Sequence, residues 1–254
     1  MNILVLVKQT FDTEEKIVIQ NGKINEDGVE FILNPYDEYA VEEAVKIKED
    51  TGAEVTVLTV GPSRAESSLR TALAMGADKG IFIELEDEAD EFTLAKLITA
   101  AIKGEKYDLI LGGNMAVDSG AGQVAIRVAE ELGMPHVSTI TKLSLEGSKA
   151  TVERDVEGDA EIIEVNLPFL ATAQQGLNEP RYPSLPGIMK AKKKPLNRLS
   201  VGDMGLSEEE LTVRTKVLEQ YLPPKKQAGR VLDGEIKQQV SELVQLLRTE
   251  AKVV

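Results

Sequence analysis

Two stretches of the chain carry residue types that fold-making alone does not require. The first runs Gly112-Gly113-Asn114-Met115-Ala116-Val117-Asp118-Ser119-Gly120-Ala121-Gly122-Gln123 and leads into a helical pattern. Glycines at 112, 113, 120 and 122 let a backbone come close to a phosphate, whose charge would meet the free N–H groups of the helix that follows. Adenosine carrying a phosphate is the guest such a turn suits. The spacing matches neither GxGxxG nor GxxxxGK[ST], and a glycine-rich turn with no ligand accounts for it equally well. No P-loop lysine and no paired metal carboxylates accompany it, which disfavours ATP hydrolysis.

The second stretch is Leu177 to Lys194, LNEPRYPSLPGIMKAKKK. Pro180, Pro183, Pro186 and Gly187 fall within eight positions, a density that rules out a regular helix or a central strand across them. Tyr182, Leu185, Ile188 and Met189 form an apolar series, and four lysines occupy the five positions from Lys190 to Lys194. A prolyl segment has little disorder to lose, so it can hold an apolar side chain outward as a pre-set anchor. The lysines behind it would steer an acidic partner toward that anchor. An ordinary surface loop followed by a solvated basic run is the plainer alternative.

Composition narrows the chemistry further. With 254 residues, 42% hydrophobic and 28% charged, the chain has ordinary globular values and length enough for a substantial core. It has no cysteine, which removes disulfides, thiolate catalysis and zinc–sulfur sites together. The single histidine, His136, follows Gly133-Met134-Pro135 and reads as a helix-end or turn residue rather than a general base. The net charge of −14 opposes phosphate-backbone binding and argues against a nucleic-acid partner. No apolar run is long enough to insert into a membrane, and MNILVLVKQ reads as a first strand rather than a signal peptide, so a cytoplasmic protein is expected.

The elements that must position these stretches alternate. Ile3 to Val7, Glu54 to Val60, Gly80 to Leu85 and Asp108 to Leu111 are short apolar strands, separated by helical patterns opening at Asn34-Pro35-Tyr36-Asp37, after Gly61-Pro62-Ser63, and at Phe92. This rhythm predicts an α/β fold with a doubly wound, mostly parallel sheet. Lys8 to Glu15 reads as loop, followed by a small hairpin of Lys16 to Gln20 and Val29 to Leu33 around Asn21-Gly22 and Asp27-Gly28. From Ile140 to Val165 the pattern turns antiparallel, a small extension, and Phe169 to Ala173 returns to a buried strand. After Lys194 the pattern loosens until a final amphipathic helix, Gly234 to Ala251, tethered by a polar linker and suited to clasp another subunit. The division expected is a nucleotide-binding domain over 1–194 and a C-terminal arm over 195–254. In such a sheet, ligands sit beyond the carboxyl ends of the strands near the switch in strand order, which groups the ends at Val7-Lys8, Val60-Gly61 and Gly112-Gly113.

Several long runs, in order, resemble one family nearly end to end: NPYDEYAVEEA from Asn34, RTALAMGAD from Arg70, VERDVEGDAE from Val152, LPFLAT from Leu167, LNEPRY from Leu177 and LPGIMKAKKK from Leu185. The chain resembles the beta (small) subunit of electron transfer flavoprotein. The resemblance implies an adenine nucleotide alpha hydrolase-like α/β fold and an electron carrier without covalent catalysis of its own. It implies a heterodimer with an alpha subunit that holds the redox-active FAD, and a structural AMP in this chain. Carried over by position, the AMP contacts are Leu6, Asn34, Pro35, Tyr36, Asp37, Val60, Gly113, Val117, Asp118, Ser119, Gly120, Ala121, Gly122 and Gln123. A recognition loop over 173–195 would dock acyl-CoA dehydrogenases of fatty acid beta-oxidation, with Leu185 as anchor and Tyr182, Ile188, Met189, Lys190 and Lys193 about it. The place near Asp12 and Thr13 where some members bear a tyrosine against the flavin has none. A bifurcating branch, working with NADH, binds a second FAD instead of AMP; it carries GDTAQVGP where this chain reads DSGAGQVA from Asp118, and lacks the LNEPRY run, so AMP is favoured. A stand-alone adenine-nucleotide sensor of universal-stress type is a further alternative, one with no need of a clasping arm.

Overall fold

The first strand, β1 (Asn2–Leu6), is apolar on both faces, and the pleat sends Ile3 and Val5 to one side and Leu4 and Leu6 to the other, all buried. A strand of this kind needs helices above and below it, and the computed structural model, which describes residues 1–86, 89–226 and 228–253, supplies them. In chain order come β2 (Gln9–Phe11), β3 (Ile19–Gln20), β4 (Lys23–Ile24), β5 (Phe31–Leu33), α1 (Pro35–Thr51), β6 (Glu54–Gly61), α2 (Glu66–Met75), β7 (Lys79–Glu84), α3 (Glu91–Ala101), β8 (Leu109–Gly113) and α4 (Val124–Leu132). They are followed by β9 (His136–Glu146), β10 (Lys149–Val156), β11 (Asp159–Asn166), β12 (Phe169–Ala173), α5 (Leu185–Ala191), β13 (Leu196–Ser200), α6 (Glu208–Leu211) and α7 (Ile236–Leu246).

Nine strands form one sheet in the order β11-β10-β9-β12-β8-β1-β6-β7-β13. The six from β12 to β13 pair in parallel, as does β9 with β12, and only β9-β10-β11 is antiparallel. The expected doubly wound sheet with a small antiparallel extension is therefore present. From β1 the chain builds outward through β6 and β7, then returns to place β8 on the other side of β1. That reversal puts the switch in strand order between β1 and β8, where Leu6 lies opposite Gly112. Residues of α1 and α2 cover the face bearing Ile3 and Val5, and residues of α3 and α4 cover the face bearing Leu4 and Leu6.

The chain divides into two compact units. One comprises Met1–Val18 with Asn25–Leu218 and holds the large sheet; the other comprises Ile19–Ile24 with Glu219–Val254. In the second unit β3 and β4 make a tight hairpin, with both turn residues, Asn21 (φ 54°) and Gly22 (φ 74°), left-handed as a two-residue loop requires. Gln220 completes that hairpin, its N–H donating to the Gly22 carbonyl and its side chain accepting from the Ile24 N–H. Helix α7 leaves Ile236, Val240, Leu243 and Val244 exposed along one side.

Several expectations need correction. Residues 9–11 are not loop: they form β2, antiparallel to β5, so the excursion after β1 closes on Phe31 to Leu33 rather than on residues 16–20. Gln9 and Thr10 read as polar but are buried. The chain after Lys194 does not loosen at once, because Leu196–Ser200 joins the sheet as an edge strand beside β7. His136 opens β9 and is exposed, so it is a strand residue rather than a helix-end one. The prolines around 185 do not exclude a helix: Ser184 is its N-cap, accepting from the Gly187 N–H at 3.1 Å, and Pro186 sits in the first turn, where a missing N–H costs nothing. No helix among the described residues is long and apolar enough to cross a membrane.

Asp90 closes the large unit on the α3 side. It caps α3 by accepting from the Thr93 N–H at 3.0 Å, and its other oxygen takes the N–H groups of Arg214 (2.5 Å) and Thr215 (2.8 Å). Burial works to raise its pKa, but those three backbone donors outweigh it and hold the carboxyl down at about 2. A carboxyl depressed in the folded state stabilises above its unfolded value and loses that contribution as pH falls through the folded one. Asp90→Ala should cost about 1–2 kcal/mol in urea unfolding near neutral pH. That difference from wild type should shrink as pH drops from about 4 toward 2.

Candidate functional site

At the switch point the ends of β1 and β8 meet the start of α1. Asn34 is the N-cap of that helix, with Pro35 in its first turn. Its side chain makes no capping bond: the amide donates to the Met115 carbonyl at 2.9 Å and accepts from the Val117 N–H at 3.1 Å. Asn34 is thus spent on holding the 115–117 turn. Asp37, one turn on and buried, accepts the Lys8 N–H at 2.7 Å through one oxygen and the Gly113 N–H at 3.0 Å through the other. These donors lie at the end of β8 and two residues past β1, so the carboxylate ties β1, β8 and α1 together.

Gly113 is obligatory for that arrangement. A Cβ there would lie 2.3 Å from Asp37 Oδ1 and 2.8 Å from both the Asp37 nitrogen and the Tyr36 carbonyl carbon. Leu6 is buried beneath this junction, Val60 is half-buried at the end of β6, and Pro35 and Tyr36 are half-buried at the head of α1. The loop beyond Gly113 turns at Ala116, whose carbonyl accepts the N–H groups of Ser119 (3.3 Å) and Gly120 (2.8 Å). Gly120 (φ 64°) and Gly122 (φ 60°) both take the left-handed conformation, and Gly122 passes close to the Asn114 carbonyl. Val117, Asp118, Ser119, Gly120, Gly122 and Gln123 are exposed, with Ala121 half-buried.

Helix α4 begins immediately after, with Gln123 as its N-cap and no side chain capping it. Its first N–H groups therefore carry the partial positive charge of an open helix end. Asp118 stands on the same loop, and Lys8 Nζ lies 2.7 Å from both of its carboxylate oxygens. That pair neutralises the one acidic group of the loop, which would otherwise repel an anion. Composition and spacing did not single out Lys8 as a loop partner; its place just after a buried strand was the available signal.

The second stretch has two parts with different duties. Asn178 donates to the Tyr39 carbonyl and to Glu43, and Arg181 forks onto Glu42 and Glu49 with four bonds of 2.6 to 3.0 Å. The paired carboxylates of Glu49 and Glu42 push the Arg181 pKa up. These residues pin the chain to α1. Beyond them the apolar series is outside: Tyr182 is 95% exposed, Leu185 80%, Met189 65% and Ile188 42%. Lys190, Lys192 and Lys193 are exposed too, but Lys194 is not a steering charge: its ammonium donates to the Leu73 and Ala77 carbonyls at the end of α2.

Burial raises the Asp37 pKa to about 7, against the hydrogen bonds from the Lys8 and Gly113 N–H groups and the Lys8 charge. A carboxyl raised in the folded state favours folding where it is protonated, so this contribution is present below about pH 4 and fades as pH rises toward about 7. Unfolding free energy of the ligand-free chain should decline across that window, and Asp37→Asn should flatten the decline. Gly113→Ala should destabilise by about 3 kcal/mol or more, since backbone rather than a flexible side chain must give way.

Among the described residues no group of three His, Cys, Asp or Glu is placed to hold a metal. The model of the electron transfer flavoprotein domain matches residues 21–204. The electron transfer flavoprotein subunit beta of Bacillus subtilis (strain 168) is 57% identical over 257 residues, covering 100% of both chains. The protein of that description from Syntrophomonas wolfei is 45% identical, over 100% of this chain and 98% of its own. The Homo sapiens subunit beta is 38% identical over 90% of this chain and 91% of its own. With the family's domain over most of its length and beta subunits matching it throughout, this chain belongs to the electron transfer flavoprotein family, among its beta subunits.

Proposed function

We propose that this chain is one half of an electron carrier: it pairs with an alpha subunit whose FAD takes up and passes on electrons, holds AMP at the β1/β8 switch point, and docks acyl-CoA dehydrogenase-type donors through α5. The observation that carries the docking half is Leu185, 80% exposed at the first position of a capped, proline-bearing helix, with Met189 one turn on and three exposed lysines behind. Leucine, isoleucine and methionine held outward together on one capped helix make a contiguous apolar patch, the kind of surface that marks an interaction site. The patch is small and rimmed by charge, as suits an encounter that must form and dissolve with each electron.

The residues at the switch point fit a nucleotide monophosphate. The open N-terminus of α4 and the glycine turn at 120–122 offer backbone N–H groups to a phosphate, and Lys8 cancels the charge of Asp118 beside it. Leu6, Val60, Pro35 and Tyr36 give the apolar surface that an adenine needs. AMP there supplies no reaction; this chain's part is to bind it in a fixed place. The alpha subunit has its own support in the exposed stripe on α7, a helix with no buried residue among those described.

The first test is to co-express the chain with its alpha subunit, denature the purified complex and identify what is released. One FAD and one AMP per heterodimer supports the reading. Two FAD without AMP would assign the chain to a bifurcating carrier working with NADH, and ATP without flavin would make it a stand-alone sensor. Leu185→Ala should raise the KM of the heterodimer for an acyl-CoA dehydrogenase about tenfold while FAD and AMP contents stay at wild-type values. Loss of flavin in that variant would refute the docking role.

A further inference from the structure

The run RTALAMGAD from Arg70 to Asp78 lies outside both the strand-end site and the exposed patch, yet it forms the surface on which α5 rests. Contact between the two helices is close enough to exclude any side chain at Gly187, where a Cβ would stand 2.5 Å from the Ala74 carbonyl oxygen. Ala191, at the end of α5, is buried in the main core beside residues of α2.

Polar bonds then cross in both directions. Arg70, on α2, donates from Nη1 to the Ala191 carbonyl at 2.9 Å and to the Lys194 carbonyl at 3.4 Å. Those carbonyls lie at and just beyond the end of α5; that of Ala191 also accepts the Lys194 N–H at 3.3 Å, a long bond to which Arg70 adds a shorter one. Lys194, three residues past α5, donates from Nζ to the Leu73 carbonyl at 2.8 Å and the Ala77 carbonyl at 2.5 Å, at the corresponding end of α2. Arg70 of α2 thus braces the end of α5, and Lys194, on the chain leaving α5, braces the end of α2. Glu66 holds the Arg70 guanidinium at 3.2 Å and also pairs with Arg198 on β13, so the arginine is fixed from behind. The Pro195 carbonyl accepts the Gly80 N–H at 2.9 Å, which ties the chain leaving α5 to the sheet.

We propose that Arg70 and Lys194 are positioning residues for partner docking, acting through α5 by holding Leu185 and Met189 in the geometry the partner meets. The inference rests on the reading of α5 as the docking element. Neither side chain faces the partner: Arg70 is half-buried, and Lys194 is turned onto α2, where burial lowers its pKa. Their effect is pre-organisation, since a helix already seated loses little freedom when the partner arrives, whereas a loosened one must be ordered at that moment. A short proline-led helix of seven residues would not persist by its own propensity.

The test uses the co-expressed heterodimer as electron acceptor for a medium-chain acyl-CoA dehydrogenase, with FAD and AMP contents measured in every variant. Arg70→Met and Lys194→Met should each raise KM about fivefold to tenfold with kcat retained, and Arg70→Lys should recover part of the loss. In a Leu185→Ala background Arg70→Met should add less than about twofold, because the anchor it positions is already gone. Amide exchange over 185–191, measured without the dehydrogenase, should quicken about tenfold or more in Arg70→Met. Multiplicative effects in the double variant, or unchanged exchange in Arg70→Met, would overturn the inference while leaving the docking reading intact. An unchanged KM in Leu185→Ala would overturn the docking reading and this inference with it.

Discussion

Two backbone N–H groups, those of Lys8 and Gly113, leave adjacent parallel strands with no ladder partner, and one buried carboxylate takes both. The Asp37 bridge explains much around it. It requires α1 to start within reach of the strand ends, which Asn34-Pro35 arranges, and it requires residue 113 to have no side chain. Asn34 applies the same device one step further out, using its amide on the 115–117 turn rather than on its own helix. The outcome is a strand-end surface whose donors nearest the sheet are satisfied by the protein, while those of α4 are left open. Burying a carboxylate to this depth opposes ionisation, and the paired N–H bonds are what make the position tenable.

Much of this was legible in residues 1–133, because parallel strands buried on both faces write themselves as unbroken apolar runs between helical periods. Strand ends and glycine turns follow from that pattern, and the Asn34 to Asp37 segment meets the start of the loop after Gly113 at neighbouring strand ends. What periodicity cannot carry is pairing between short polar segments. β2 holds only Gln9, Thr10 and Phe11, and nothing in those residues announces that Phe31 to Leu33 lies beside them. The edge strand β13, LNRLS, is half polar because one side faces solvent, so it reads as loop. Proline density misled around 185, since the rule against proline in helices lapses in the first turn.

Charge in the 177–194 stretch divides according to what lies behind each residue. Arg181 and Lys194 look like members of a basic surface, yet one is held by Glu42 and Glu49 and the other by carbonyls of α2. Lys190, Lys192 and Lys193 keep their charge in solvent, so the positive field is smaller and closer to Met189 than the four-lysine run implies. The two exposed apolar surfaces differ in kind as well. Leu185, Ile188 and Met189, set beside lysines on a braced helix with Tyr182 just before it, suit brief contact, whereas the exposed side of α7 suits a partner that stays.

The hairpin of β3 and β4 also bears on how the chain reaches its final form during synthesis. Ile24 and Gln220 are bonded across 196 positions, so the hairpin leaves the ribosome long before the residue that completes it. Two strands of two residues each do not hold by themselves in water. The large sheet can assemble once β13 has been made, while residues 19–24 remain an unpaired loop within it. The hairpin at residues 19–24 therefore waits for Gln220 before its bonding is completed on the growing chain.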